Sequence, residues 1–239
     1  PEVEAAASVA RRALVGRRLA SVTTHHRSQR RALAARATKR MAGRQVMRVE
    51  RHGKHQHVVF DDGAILAVHF RMTGDWEVTV AAERLPRFTR IALTATDGVR
   101  LCLVDPRALC AATYHAPGHP PALALGPEPA TLTAVALRAA LARRSGPIKP
   151  VLLDQHVVAG LGNIYAAEAL WRARIHPALA AKALGDEQLR ALVRGIKAAI
   201  ADGFARQQRY RSGARDRPFK VYDREGSACP RCRTHVARV

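Results

Sequence analysis

The chain has 239 residues, of which 48% are hydrophobic, and its 40 Lys and Arg against 19 Asp and Glu give a formal net charge of +21. This composition excludes a disordered chain and allows one large domain or two small ones. No apolar run approaches the ~20 residues of a membrane-spanning helix. The first residues are acidic and then amphipathic, which does not fit a signal peptide.

The positive charge is spread along the chain rather than concentrated in one tail. Arg predominates among the cations, and its planar guanidinium suits phosphate groups. We therefore expect a basic surface on a folded body, with nucleic acid as the leading partner. Without a signal peptide or a spanning segment, a cytoplasmic location is expected. Solvated basic faces on a generally Arg-rich protein are the alternative, and no membrane partner is expected.

The predicted elements begin with a helix over 2–15, which Gly16 ends. From 17 to 104 the pattern is β-rich. Two runs predict hairpins there: HVVFDDGAILAVHF around Asp61-Asp62-Gly63, and RIALTATDGVRLCLV around Asp97-Gly98.

The second half of the chain changes character after a segment rich in Pro and Gly, which predicts a linker. Helical periodicity then replaces the alternating pattern in three segments, 131–144, 149–172 and 185–206. The last stretch, FKVYDREGSACPRCRTHVARV, returns to strand and turn character.

The four cysteines fall into two kinds. Cys102 and Cys110 lie in apolar, strand-like sequence and are expected to be small buried hydrophobes. Cys229 and Cys232 have the two-residue spacing of a zinc knuckle. A disulfide framework is not expected in a cytoplasmic chain of this size.

A glycine-rich turn, Gly160-Leu161-Gly162-Asn163, stands at the start of the helical run that ends in AAEAL. Glycine permits backbone conformations closed to other residues. Exposed N–H groups at a helix start, together with an amide side chain, can cradle an anion. On so basic a protein the natural anion is a phosphodiester, and a tight helix-to-helix turn is the structural alternative.

In its wider context this turn resembles a known family. Residues 148–177 resemble the helix-two-turn-helix segment of the formamidopyrimidine-DNA glycosylase and endonuclease VIII family, nearly position by position. Further collinear matches extend over essentially the whole chain: PEVE (1–4), LVG (14–16), RHGKH (51–55), VHFRMTG (68–74), DPRALC (105–110), LGPEP (125–129) and FKVYDREGSACPRC. PEVE favours the formamidopyrimidine branch.

The resemblance implies a fold class and a domain order. The class is α+β: a β-sandwich N-terminal domain with a leading helix, a helix-two-turn-helix domain and an incomplete C-terminal zinc ribbon. The expected boundaries are 1–114 for the β-sandwich catalytic domain, 115–130 for the linker, 131–206 for the DNA-binding domain, and 207–239 for the remnant of a lesion-capping loop with a truncated zinc finger.

The resemblance also implies an activity: removal of oxidised bases, especially 8-oxoguanine and ring-opened purines, from double-stranded DNA, followed by cleavage at the abasic site. The damaged nucleotide is flipped out of the duplex. An N-terminal proline amine attacks the sugar C1′, because a secondary terminal amine is less protonated than lysine at neutral pH. Pro1 is then the expected nucleophile, Glu2 the acid/base group and Lys54 the catalytic lysine. The protein is expected to act as a monomer.

Seven further residues match DNA-binding positions of the family. Those matching phosphate contacts are His69, Lys149 and Asn163, with Tyr165 packed nearby. Met72, Arg107 and Leu109 match the three side chains that fill the gap left by the flipped nucleotide, and a guanidinium such as that of Arg107 has the donors for the acceptor edge of cytosine.

Three departures from the family pattern qualify these expectations. Leu109 stands where the family has Phe, and Leu wedges between bases but does not stack as an aromatic ring does. Ala108 replaces a basic residue. The segment 207–218 is shorter than the family's capping loop, so no base preference is carried over.

Both ends of the sequence also depart from the family. The family begins PELPEVE, and the helix length through LVG aligns Pro1 and Glu2 with the second Pro-Glu pair. We therefore expect the catalytic Pro-Glu pair to lie upstream of Pro1. The alternative is that Pro1 and Glu2 take the place of that pair, which requires the first helix to shift by nearly a turn. Cys229 and Cys232 supply two ligands of a structural zinc ion, with His235 a doubtful third, whereas zinc requires four.

Three functions compete at this point. The first is a bifunctional glycosylase and abasic-site lyase. The second is a catalytically degenerate paralogue that binds damaged DNA without cutting it, which the incomplete ends and Leu109 favour. The third, a basic RNA- or ribosome-associated protein, accounts for the charge but not for the ordered motifs.

Overall fold

The computed structural model describes residues 1–206 and 219–238. The predicted capping-loop remnant at 207–218 therefore lies outside the described residues. The chain divides into two compact units, Glu2–Leu123 and Ala124–Val239, and Pro1 groups with the second.

The first unit is mostly strand. Its helices and strands, in chain order, are α1 (Glu2–Leu14), β1 (Leu19–Thr24), α2 (Arg27–Ala32), α3 (Ala35–Met41), β2 (Val46–His52), β3 (His55–Phe60), β4 (Ile65–His69), β5 (Asp75–Val80), β6 (Thr89–Ala95), β7 (Val99–Val104) and β8 (Ala111–His115).

Helix α1 follows the prediction closely. Glu2 and Glu4 lie in its first turn and Arg11 and Arg12 in its last, which complements the helix dipole at both ends. The chain leaves the helix through Gly16, whose φ of 84° is a conformation that favours glycine. Buried alanines and Leu14 pack this helix into the core of the unit.

The strands form two antiparallel four-stranded sheets, with orders β1-β6-β7-β5 and β2-β3-β4-β8. Both predicted hairpins are present, as β3–β4 and β6–β7. Residues from both sheets and from α1 share one apolar core. The predicted α+β class with an N-terminal β-sandwich is confirmed, and Cys102 and Cys110 are buried in it as expected.

The short helices α2 and α3 interrupt a segment that the sequence predicted as β-rich. Local capping explains the first: the His26 ring nitrogen accepts from the Ser28 N–H at the helix start. Leu33 and Met41, at the ends of the two helices, are buried in the same core as the sheets. Tertiary packing therefore outweighed the weak local preference of this segment.

The second unit is helical. Its elements are α4 (Ala134–Leu141), α5 (Ile148–Leu153), α6 (Asn163–Ala173), a 3-10 turn (Ala181–Ala183) and α7 (Asp186–Ala205). Helices α6 and α7 approach closely at Gly195, where an added methyl group would lie 2.7 Å from the Ala169 carbonyl oxygen. Leucine, valine and isoleucine side chains from all four helices form the core.

The helical segment predicted over 149–172 is divided in two. Helix α5 ends at Leu153, and α6 begins ten residues later. The Asp154 carboxylate accepts from the His156 N–H, and the Gln155 carbonyl accepts from the Gly126 N–H. These hydrogen bonds satisfy backbone N–H and carbonyl groups without a helix, so a turn forms where a continuous helix was predicted.

The described C-terminal segment, 219–238, consists of turns with one antiparallel bridge between Ala228 and His235. None of the helices in the described ranges has the length and apolar character needed to cross a membrane.

Candidate active site and nucleic-acid interface

Lys54 lies in the two-residue turn between β2 and β3, where His52 pairs with His55. Gly53 has a φ of 57°, and its carbonyl accepts from the Arg51 guanidinium at 3.0 Å, which fixes the turn. Burial lowers the pKa of Lys54 from its usual value. A larger fraction of this amine is therefore neutral than in an exposed lysine.

Glu4 joins helix α1 to this hairpin and was missed as a site residue, although it is the second Glu of PEVE. Its two carboxylate oxygens accept from Arg11 at 2.6 Å and Arg51 at 2.8 Å. Burial alone would raise the pKa of Glu4, but these two guanidinium groups outweigh it and leave the pKa lowered. The ionised carboxylate therefore fixes the start of α1, which carries Glu2, to the strand that leads to Lys54.

His69 ends β4 and lies beside Lys54. Its Nδ1 accepts from the Arg71 N–H at 3.0 Å, so in the neutral ring the proton is assigned to Nε2. Burial first, and then the charges of His55, Arg71 and Lys54, lower the pKa of His69 to about 4. Near neutral pH it can donate one neutral hydrogen bond to a phosphate rather than supply a charge.

A buried carboxylate organises the loop of Arg107 and Leu109. Asp105 is fully buried, and its Oδ1 accepts from the Arg107 N–H at 3.1 Å, while Oδ2 accepts from Leu109 at 2.6 Å and Cys110 at 2.7 Å. Oδ1 also accepts from the Thr73 hydroxyl. Burial would raise the pKa of Asp105, but these hydrogen bonds outweigh it and lower the pKa.

The Thr73 contact brings the Met72 loop to the Arg107 loop. Arg71 has a φ of 57°, and Gly74 lies so close to Phe70 that an added methyl group would be 2.7 Å from its carbonyl oxygen. The bend presents Met72 to solvent, with 68% of the residue exposed. Leu109 is 44% exposed, although both side chains are large and apolar. The predicted gap-filling residues therefore stand on two loops joined by one buried carboxylate.

In the second unit, Asn163 is the first residue of α6 and is exposed. The turn before it is held by Gln155, whose side chain accepts from the Gly160 N–H at 2.8 Å and donates to Leu161 at 3.1 Å. Gly160 uses the conformational freedom of glycine, with a φ of 76°. Gly162 does not, since its φ of −114° and ψ of 174° are open to any residue.

Lys149 and Asn163 line one cleft of about 1180 Å³ in the second unit. Arg174 and Arg231 also line it, as do the predicted zinc cysteines. The cleft therefore combines cationic side chains with the exposed N–H groups at the start of α6, an arrangement suited to phosphate.

Tyr165 is buried rather than exposed on this surface. An added methyl group at Gly203 of α7 would lie 2.5 Å from the Tyr165 Oη and 2.7 Å from the Pro1 Cγ. Gly203 therefore leaves room for both, a role that no local sequence pattern predicts. Pro1 and Glu2 are each partly buried and have interaction partners.

The Cys229–Cys232 turn packs on helix α6. The Trp171 indole N–H lies 3.5 Å from the Cys229 Sγ, and the Arg231 guanidinium stacks 4.1 Å from the Trp171 ring. Hydrogen bonds from the Cys232 N–H, then from Trp171 and the Arg231 N–H, lower the pKa of Cys229 to about 6. The thiolate form, which binds metals, is therefore favoured at neutral pH.

A four-ligand zinc site does not fit the described residues. Within 1–206 and 219–238, no third histidine, cysteine or carboxylate forms a metal-binding group with Cys229 and Cys232. His235 instead places its Nδ1 2.8 Å from the Gly226 carbonyl oxygen. Two thiols supply half of the tetrahedral set that zinc prefers.

Glu168 attaches this C-terminal segment to α6 and was missed by sequence reasoning. The buried carboxylate accepts from the N–H groups of Lys220, Val221 and Tyr222 at 2.9 to 3.1 Å. For these three N–H groups, the Glu168 carboxylate takes the place of the backbone carbonyl acceptors that a helix or sheet would supply.

Two family models match consecutive parts of the chain. Residues 1–112 match the family described as the formamidopyrimidine-DNA glycosylase N-terminal domain, and residues 123–212 match the formamidopyrimidine-DNA glycosylase H2TH domain. The formamidopyrimidine-DNA glycosylase of Chloroflexus aggregans is 39% identical over 83% of this chain and 77% of its own length. That of Rhodospirillum rubrum is 35% identical over 100% of this chain and 91% of its own.

The fold is also similar to solved structures. A MutM in complex with DNA containing carbocyclic 8-oxo-G has a TM-score of 0.90 and 24% identity, over 100% of this chain and 93% of that one. The Lactococcus lactis Fpg in complex with DNA containing an abasic site has a TM-score of 0.86 and 23% identity over the same shares. With both domains matched in order by sequence, the chain belongs to the formamidopyrimidine-DNA glycosylase family.

Proposed function

We propose that this chain acts as a monomer on double-stranded DNA, removes oxidised purines and cleaves the abasic site that results. The observation that carries the proposal is the pair of loops bearing Met72, Arg107 and Leu109, which Asp105 and Thr73 hold together in the first unit. Two exposed apolar side chains beside a guanidinium suit a gap in a base stack opposite cytosine. On the basis of this proposed activity, we further propose that the protein works on chromosomal DNA in a bacterial nucleoid.

The proposed nucleophile is an N-terminal proline amine, that of Pro1 or that of the upstream Pro-Glu pair which the length of α1 predicts. This amine attacks the sugar C1′, a C–N bond forms, the glycosidic bond breaks, and the base leaves with a proton. The C1′–O4′ bond then breaks as O4′ takes a proton from Glu2, and the ring-opened sugar is held as a Schiff base, which loses a proton from C2′ and eliminates the 3′ phosphate. Glu2 is the proposed acid/base group for these transfers. Lys54, with its lowered pKa, is proposed to contact the DNA phosphate beside the lesion.

The second unit supplies the proposed phosphate contacts. Lys149 offers a charge, Asn163 offers its amide, and the start of α6 offers backbone N–H groups along the cleft. Tyr165, which is buried, is proposed to support this surface by packing rather than by contacting DNA. Cys229 and Cys232 are proposed as two ligands of a structural zinc ion, which would stabilise the turn and take no part in the reaction.

Borohydride trapping tests the proposal. The chain is incubated with duplex carrying an abasic site or 8-oxoguanine opposite cytosine, and a covalent adduct mapped by mass spectrometry to Pro1 is expected. Acetylation of the terminal proline amine and Glu2→Gln should each abolish the adduct. Lys54→Ala should weaken duplex binding and reduce the yield of adduct, because it removes the proposed phosphate contact. Lys39→Ala, at an exposed lysine of α3, is its matched control and should change neither. In a full-length chain with its natural N-terminus, duplex binding with neither adduct nor nicking would reject the enzymatic proposal.

That last outcome would support the second candidate, a damaged-DNA-binding paralogue. The observation that favours it is Leu109, because an aliphatic side chain in the wedge position cannot stack on a base. This candidate predicts salt-sensitive binding that prefers abasic duplex over intact duplex. Structured RNA that outcompetes the abasic duplex would instead favour a general basic RNA-binding protein.

A further inference from the structure

A second group of possible metal ligands lies on the β2–β3 hairpin, in the other unit from the cysteines. Glu50 of β2 stands directly opposite His57 of β3, and His52 follows Glu50 by two residues. Side chains two apart on a strand, and those of directly opposed residues, project from the same face of the sheet. One donor atom from each of the three lies within 4.8 Å of the others.

The donor atoms of Glu50 and His52 are already about as close to each other as two ligands of one metal ion. His52 Nε2 lies 3.3 Å from Glu50 Oε2, and the rings of His52 and His57 have centroids 4.7 Å apart. Arg48 donates to the other carboxylate oxygen, Oε1, at 2.6 Å. This bond orients the carboxylate and leaves Oε2 directed at the histidines, as outer hydrogen bonds do for metal-ligating carboxylates.

His57 gives the independent observation that points to a ligand. Only 5% of the residue is exposed, and its Nε2 is buried with no hydrogen-bond partner among the described residues. A buried polar atom without a partner is rare and calls for a cause.

We propose that Glu50, His52 and His57 form a binding site for a divalent transition-metal ion of the zinc or cobalt kind. Two imidazoles and one carboxylate are a ligand set that suits zinc, whereas magnesium and calcium prefer oxygen ligands alone. Ligands at 2.0 to 2.2 Å from a tetrahedral ion stand about 3.4 Å apart. The half-exposed side chains of Glu50 and His52 can close that remaining distance by small rotations.

The site has room for an incoming ion and a charge balance that limits its affinity. Glu50 and His52 are more than one-third exposed, so the fourth position faces solvent. The Arg48 charge opposes a cation, and the Glu50 charge offsets it. The ion would cross-link β2 and β3 directly behind the turn that carries Lys54. Metal binding at this site requires neither DNA nor the proposed glycosylase activity.

The test uses the untagged full chain and separates this site from the cysteine pair. Zn²⁺ and Co²⁺ are titrated calorimetrically into the Cys229→Ser/Cys232→Ser variant, and one equivalent is expected to bind. In that background Glu50→Gln or His52→Gln should weaken binding at least tenfold. His119→Gln, at an exposed histidine of the same unit, is the matched control and should leave binding unchanged.

Visible absorption of the Co²⁺ form gives a second readout in the wild-type chain. The hairpin ion should show a ligand-field spectrum without a thiolate charge-transfer band, and Glu50→Gln should remove that component alone. This readout applies even if the double cysteine variant fails to fold. The proposal is overturned if no metal component survives without thiolate ligation, or if Glu50→Gln and His52→Gln bind like the control.

Discussion

Asp105→Asn is the most informative single substitution in the first unit. The carboxylate accepts three backbone N–H groups and the Thr73 hydroxyl, and it is fully buried. An amide has one oxygen, so its NH₂ group must face at least one of the three N–H donors. If the NH₂ group occupies the position of Oδ2, the N–H groups of both Leu109 and Cys110 lose their acceptor.

The cost follows from these bonds. Hydrogen bonds to a charged group contribute roughly 1.5 to 3 kcal/mol each, and an orphaned buried donor costs a similar amount. The donors share one loop, so their contributions do not add independently. We expect Asp105→Asn to lower the free energy of unfolding of this unit by about 3 kcal/mol. The same change should loosen the loop that presents Arg107 and Leu109.

The pH dependence provides an independent check. Because the folded pKa of Asp105 is lowered, its contribution to stability is present above the unfolded pKa of about 3.9 and is lost as pH falls through the folded pKa. The stability difference between the wild type and Asp105→Asn should therefore be full near neutral pH. It should shrink in acid below about pH 4.

Urea unfolding followed by circular dichroism at neutral and acid pH measures both effects. Asp97→Asn is the control, because Asp97 is half-exposed at the β6–β7 turn and Asn-Gly also suits a hairpin. Its ion pair with Arg17 is solvent-exposed, so we expect a far smaller change in the urea midpoint than for Asp105→Asn. If Asp105→Asn unfolds at the wild-type urea concentration at neutral pH, the loop is not held by this carboxylate and the reasoning fails.

Three further predictions test the second unit and the proposed function. Gly126→Ala should destabilise the protein by about 1 to 3 kcal/mol in urea unfolding, because the added methyl group would overlap the His156 carbonyl and lie 2.8 Å from the Val157 carbonyl oxygen. Gly146→Ala is the control and should not destabilise it, because the added methyl group would meet only one atom, at 4.0 Å. Equal stabilities of the two variants would contradict the packing argument. Leu109→Phe should tighten binding to abasic duplex by about 1 to 3 kcal/mol through stacking, measured by fluorescence anisotropy, and unchanged affinity would remove Leu109 from the interface. Lys149→Ala should reduce the salt slope of duplex binding by about 0.9, and an unchanged slope would mean that it contacts no phosphate.

The sequence was sufficient for the elements whose signals are local. The Asp-Gly turns at Gly63 and Gly98, flanked by alternating residues, predicted the two hairpins, because turn chemistry and strand periodicity act within a few residues. Gly16 predicted the end of α1 for the same reason.

Tertiary structure alone decided which groups meet. Asp105 binds Thr73 across 32 positions of the sequence, and Glu168 binds the N–H of Lys220 across 52. Nothing local distinguishes these carboxylates from exposed ones, because burial and partner come from the packing of distant segments. The pairing of Glu50 with His57 depends on strand register, and a slip of one residue would send His57 to the opposite face of the sheet. Local patterns therefore determined the two hairpins and the end of α1, whereas long-range packing determined α2 and α3, the shifted pKa values and which side chains meet.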